Sequence, residues 1–259
     1  MRILAVGNSF STDATRYLYQ TLQERGVDAT ILNLYIGGCS LERHVQNLES
    51  GEAAYEYQLN GTPVLVPDAE TGETVPRMIS LQDAFAEGGW DVVITQQCSP
   101  DSGWIESYEP FLTILTDYFR QNAPDAKLYF HETWAYDTTS PHKNFLRYNR
   151  NQQEMYEKLR RNYYAMAEKH SLTLIPSGDV IQAVRATPEF NMEAGGRTLT
   201  RDGFHMSRSY GRYLLALIWA KVILGLDASS SRYVPDDEAE PVEDELLNVL
   251  RSTVDRVIK

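Results

Sequence analysis

The run Ile3-Leu4-Ala5-Val6-Gly7-Asn8-Ser9-Phe10-Ser11 decides the fold. Four consecutive apolar residues closed by a glycine read as a short strand buried on both faces, because a strand with one wet face would alternate polar and apolar side chains. Gly7 lets the backbone turn sharply. The spacing of Ala14, Leu18 and Leu22 then predicts a helix over residues 12–23, stopped at Gly26. A strand that turns directly into a helix is the opening of a βαβ unit.

The same alternation continues along the chain. Strands are predicted at 29–35, 91–95, 127–131 and 172–175, and helices at 81–87, 108–121, 144–170, from Asp179, and at 209–224. This pattern specifies an α/β protein with a parallel sheet and right-handed helical crossovers. Residues 51–79 interrupt it with Pro63-Val64-Leu65-Val66 and Glu73-Thr74-Val75 around Ala69-Glu70-Thr71-Gly72, a β-hairpin-like insertion. After the main body, residues 1–226, comes an acidic linker over 227–240. A final amphipathic helix carrying Leu246, Leu250, Val254 and Val257 is expected to dock on the same domain.

With 259 residues and 42% apolar side chains, the chain can bury a sizeable core. Its 24 basic and 36 acidic side chains leave a formal charge of −12. That excess works against nucleic acid and anionic lipid, whose affinity comes from clustered Lys and Arg, so a neutral or cationic small-molecule partner is expected. Cys39 and Cys98 are too few for a disulfide scaffold and read as reduced thiols, with a single bridge as the alternative. The opening apolar run is shorter than a signal peptide requires, and no apolar stretch is long enough to span a membrane, so a cytoplasmic location is expected.

In an open parallel sheet, ligands bind beyond the carboxyl ends of the strands. Ser9 follows the first strand, where it is either a nucleophile or, with Ser11 and Thr12, a cap for the next helix. Asp202-Gly203-Phe204-His205 supplies what a serine nucleophile needs. The imidazole can take the hydroxyl proton, and the carboxylate can hold Nδ1–H and stabilise the imidazolium. Taken alone, the pair also reads as a surface Asp near an incidental His. Gly37-Gly38 after the second strand could offer a backbone N–H to an oxyanion, and Gln96 or Gln97 after the third could add an amide donor. Individually these are ordinary turn and solvated residues; three strand ends and one late loop converging on one sheet edge make them a constellation.

Gly7-Asn8-Ser9-Phe10, Gly38 in Gly38-Cys39-Ser40, Gln96-Gln97-Cys98-Ser99 and Asp202-x-x-His205 resemble, in order and spacing, the sequence blocks of the SGNH (GDSL-type) hydrolases. The phrases Ile3 to Ser11 and Thr133-Trp134-Ala135-Tyr136 are similar to a bacterial SGNH-like subgroup of unassigned function. The resemblance covers most of residues 1–226. It implies a three-layer α/β/α sandwich with a flavodoxin-like sheet and hydrolysis of esters without a cofactor or metal. By the resemblance Ser9 is the nucleophile, Asp202 and His205 complete the triad, and the oxyanion hole comprises the N–H groups of Ser9 and Gly38. Three positions depart from the family pattern: Asn8 replaces an aspartate, Met206 replaces a proline, and the third block lacks its oxyanion-binding asparagine. Related carbohydrate esterases use a glutamine there, which points to Gln96, with Gln97 close behind.

Trp104, Trp134 and Tyr136 follow the third and fourth strands, and Trp134 and Tyr136 are expected to form a sugar platform or else to pack in the core. His131 and the two cysteines read as structural. A zinc site on Asp202 and His205 is the chemical rival, although the chain lacks an H-E-x-x-H or CxxC motif. The expectation is a serine esterase working through an acyl-enzyme, most consistent with carbohydrate O-deacetylation. Hydrolysis of another acyl ester, as in lipases and thioesterases, or an inactive carbohydrate-binding protein on the same fold are the alternatives.

Overall fold

The computed structural model describes residues 1–259. The chain forms β1 (Arg2–Gly7), α1 (Ser9–Thr15), α2 (Leu18–Glu24), β2 (Thr30–Tyr35), α3 (Leu41–Ser50), β3 (Tyr55–Leu59), β4 (Thr62–Pro63), β5 (Leu65–Pro67), β6 (Thr74–Pro76) and β7 (Met78–Ile79). It continues with α4 (Leu81–Ala86), β8 (Val92–Thr95), α5 (Phe111–Asn122), β9 (Lys127–His131), α6 (Gln152–Lys169), β10 (Thr173–Ile175), α7 (Ser177–Arg185), α8 (Tyr210–Leu224) and α9 (Asp244–Val257). The main sheet runs β10-β9-β8-β1-β2-β3-β4, and its first five strands are parallel. That is the flavodoxin-like order. The chain leaves β1 toward β2 on one side and later returns to β8 on the other, which puts the switch point at the carboxyl ends of β1 and β8.

β1 lies at the centre because it is buried from Ile3 through Gly7, pairing Ile3 with Ile31 and Val92. Helices cover the sheet in two groups. One consists of α1, α2, α7, α8 and α9, the other of α3, α4 and α5, while α6 packs against α7 and β10. α8 is apolar nearly all round because it is enclosed on several sides, by α1 and α2, by α7, and by α9, which buries Leu247, Leu250 and Val254. No helix is long and apolar enough to cross a membrane.

Four regions differ from the sequence reading, one of them the helix predicted over 144–170, which is a 3-10 turn over Lys143–Tyr148 followed, after the left-handed residues Asn149 and Arg150, by α6 from Gln152. The predicted helix over 12–23 is two short helices, α1 beginning at Ser9 and α2 at Leu18. α3 was not anticipated. Its buried residues, Leu41, His44, Val45 and Asn47, include two polar side chains that blur the apolar stripe. The insertion does contain a hairpin, β5 with β6, but β3, β4 and β7 join the main sheet as an antiparallel extension of β2. The sheet is therefore mixed rather than wholly parallel.

Candidate active site

Gly7 ends β1 so closely against α1 that a Cβ on it would lie 2.4 Å from Ser11 Oγ. A side chain there would push the helix, and Ser9 with it, off the strand end. Asn8 caps α1, its Oδ1 accepting from the Phe10 N–H at 3.0 Å. Its Nδ2 donates to the Cys39 carbonyl at 3.0 Å, and its Oδ1 accepts from Gln96 Nε2 at 2.7 Å. One buried amide thus ties together the loops after β1, β2 and β8. Aspartate, which has no N–H, could not make the bond to Cys39, and this accounts physically for asparagine at position 8.

Because Asn8 caps the helix, the hydroxyls considered as caps are released for other uses. Ser11 Oγ donates to Asn33 at 2.7 Å and Thr12 Oγ1 to Gln58 at 3.0 Å. Ser9 Oγ has one partner, His205 Nε2, at 2.9 Å. His205 Nδ1 lies 2.7 Å from Asp202 Oδ2, and Asp202 Oδ1 accepts the backbone N–H groups of Phe204 and His205. Burial alone would raise the Asp202 pKa, but the bonds from the His205 ring and backbone outweigh it and hold the carboxyl below its ordinary value. Nδ1 is the proton-bearing nitrogen when the imidazole is neutral, since a carboxylate can only accept, so Nε2 is left to accept from the Ser9 hydroxyl.

The Asp202–His205 segment is neither helix nor strand, yet it is fastened at several points. Asp13, fully buried on α1, receives Arg201 at 2.9 Å, Arg212 at 2.8 Å and the Met206 N–H at 2.9 Å. Trp134 Nε1 donates to the Phe204 carbonyl at 2.7 Å, and the Asp137 N–H donates to the Gly203 carbonyl at 2.8 Å. Gly203 adopts φ +88°, and a Cβ there would meet Ser140 Cα at 2.7 Å. Asp13, Arg201 and Arg212 escaped the sequence reading. The one signal was an acid four residues after Ser9, on the same face of α1.

A cavity of about 270 Å³ opens over Ser9 and His205, lined also by Tyr35, Gly37, Gly38, Ser99, His142 and Phe204. The N–H groups of Ser9 and Gly38 have no acceptor within the chain. His142 Nδ1 accepts the Asn144 N–H at 3.2 Å, which fixes the neutral tautomer with its proton on Nε2.

Four expected residues lie elsewhere. Gln96 is 1% exposed beneath the cavity, its amide spanning Asn8 and His131 Nδ1, and it does not line the cavity. Gln97 accepts from the Leu41 and Cys98 N–H groups and donates to Ser107. Both glutamines therefore brace the loops instead of offering an oxyanion donor from the cavity wall. Trp134 and Tyr136 have no exposed surface for a sugar. Trp134 stacks on Phe10 with centroids 4.0 Å apart, and Tyr136 Oη bonds to Ser99 Oγ at 2.8 Å. Large aromatics on this edge are packed because the loop carrying His205 folds over them. Trp104 packs against Tyr148 and the Arg147 guanidinium, outside the cavity lining.

Cys39 and Cys98 are free and buried. Burial pushes the Cys39 thiol up to about 12, and burial with the neighbouring Asp101 carboxylate raises Cys98 further, which suits packing rather than nucleophilic attack. Burial lowers His131 to about 3, keeping it a neutral bridge between Gln96 and Ser177. No group of three or more His, Cys, Asp or Glu side chains is arranged to hold a metal ion.

The flavodoxin-like fold of this chain is the fold of solved SGNH hydrolases. Solved structures agree at the level of fold: a candidate SGNH hydrolase from Slackia heliotrinireducens aligns with TM-score 0.59 and 18% identity over 86% of this chain and 98% of its own. A catalytic mutant of Axe2, an acetylxylan esterase from Geobacillus stearothermophilus, aligns with TM-score 0.54 and 12% identity over 91% and 97%. Within that fold the chain belongs to the family of the domain of unknown function DUF4886, whose model matches residues 2–248. A DUF4886 protein from Bacteroides uniformis is 31% identical, with TM-score 0.86, over 100% of this chain and 94% of that one. A search of curated proteins finds no match.

Proposed function

We propose that the protein is a serine-dependent ester hydrolase that works through an acyl-Ser9 intermediate, with O-deacetylation of a carbohydrate as its reaction. The continuous line from Ser9 Oγ through His205 to Asp202, at 2.9 and 2.7 Å, carries this reading. As Ser9 Oγ attacks the acyl carbon, its proton passes to His205 Nε2, and Asp202 stabilises the imidazolium through Nδ1–H. The carbonyl π electrons move to oxygen, and the N–H groups of Ser9 and Gly38, two residues of the cavity lining, receive the developing charge. Collapse breaks the bond to the alkoxy oxygen, and His205 returns the proton to the departing alcohol. Water, deprotonated by the same imidazole, then attacks the acyl carbon and releases the acid and Ser9.

The small volume and mixed lining of the cavity favour a short acyl group over a fatty one. The test is turnover of p-nitrophenyl acetate. Wild-type protein is expected to hydrolyse it, and Ser9→Ala and His205→Ala to lose about 10⁴-fold or more of kcat with unchanged circular dichroism. Wild-type rates in either variant remove the mechanism.

A further inference from the structure

A second cavity, of about 510 Å³, does not contain Ser9 or His205. It lies at the start of α6, with Asp137 and Thr138 in its wall, while His142, at the far end of the same short segment, lines the catalytic cavity. Asp137, in the wall of the larger cavity, is tied to the segment that carries His205. The Asp137 carboxylate receives Arg185, Thr198 and Thr200, its N–H bonds to Gly203, and Thr200 Oγ1 accepts the Gly203 N–H.

The chemistry of the lining is specific. Gln152 Nε2 donates to the Tyr136 carbonyl, leaving Oε1 without a partner, and Asn149 Nδ2 donates to Glu154, leaving Oδ1. Asn191 uses Oδ1 to cap the turn at Glu193, leaving Nδ2. Gln182 Oε1 is buried and has no partner at all. Each amide is held by one end and unpaired at the other, which leaves three amide oxygens as acceptors and the Asn191 Nδ2 as a donor among the lining residues. Its charges cancel, Arg150 and Arg185 against Asp137 and Glu193, and Arg185 is already committed to Asp137, so no free cationic cluster selects an anion. Phe190, the one aromatic residue in the lining, is 1% exposed, too little for a lipid tail.

We infer that this cavity binds neutral saccharide units of the acylated glycan whose ester reaches Ser9. The inference rests on the esterase reading above and adds a site to it. Hydroxyl groups, each both donor and acceptor, match half-paired amides, and the volume falls in the range of about 300–1,000 Å³ usual for ligand sites.

The test titrates the full-length Ser9→Ala protein calorimetrically with xylotetraose, cellotetraose and chitotetraose. At least one is expected to bind, and Gln152→Leu with Gln182→Leu to weaken it by about tenfold while circular dichroism shows the variant folded. As a readout that needs no lining substitution, hydrogen exchange should slow over residues 149–153 when the bound saccharide is present. No binding by any of the three, equal binding to the double variant, or protection confined to other segments overturns the inference. Turnover of p-nitrophenyl acetate separates the two claims. Turnover without saccharide binding keeps the esterase and discards the cavity, whereas binding without turnover does the reverse.

Discussion

The two halves of the candidate site are built in opposite ways. Ser9 is positioned by its immediate neighbours in sequence, since Gly7 permits the close turn and Asn8 caps the helix on which Ser9 sits. Asp202 and His205 sit in an irregular loop held by residues far away in the chain, Asp13, Trp134 and Asp137. A nucleophile at a strand end inherits the precision of the sheet. A base in a loop has to be pinned by side chains, so the two halves should differ in how they fail.

Substitutions can sharpen that contrast. The largest effect is expected from Asp202→Asn, which keeps the shape but lets the imidazole adopt the wrong tautomer; kcat on p-nitrophenyl acetate should fall by about 10⁴-fold with stability nearly unchanged. Asp13→Asn should act on the loop through the fold. It leaves Arg201 and Arg212 without their buried carboxylate, and chemical denaturation should show a loss of about 3–5 kcal/mol. If Asp13→Asn is as stable as wild type, the base is held by something other than this cluster.

Asn8→Asp probes the other half. The new carboxylate cannot donate to the Cys39 carbonyl and leaves that buried acceptor unpaired, at a cost of about 1–3 kcal/mol read from urea unfolding. The smallest expected effect is that of Trp134→Phe. It retains an aromatic ring against Phe10 but loses the bond to the Phe204 carbonyl, costing about 1 kcal/mol and a few-fold in kcat. A Trp134→Phe enzyme crippled as severely as Asp202→Asn would mean that the ring has a direct part in substrate handling.

The same contrast explains what could be read from the sequence. The first strand, the turn at Gly7 and Ser9 form a local pattern, and the alternating elements imply the parallel sheet. The Asp202–His205 pair was legible because three-residue spacing lets a carboxylate reach Nδ1 in one short turn. What holds that loop was not, because Asp13 lies 193 residues from the Met206 N–H it binds and no local periodicity marks the pairing. Gln96 was misread for a related reason. A polar residue after a strand end can face the cavity or lie beneath it, and the deciding partners, Asn8 and His131, come from the loop after β1 and the end of β9. Trp134 and Tyr136 follow the same rule: aromatic content near a site does not tell which face the loop leaves open.

Ester hydrolysis by this route requires Ser9 to be an activated nucleophile. A fluorophosphonate probe reacts with such a hydroxyl and carries a mass that can be located by peptide sequencing. Stoichiometric adduct on Ser9, abolished by His205→Ala, is the predicted result. An unlabelled protein, or an adduct on any other residue with Ser9 untouched, would contradict it.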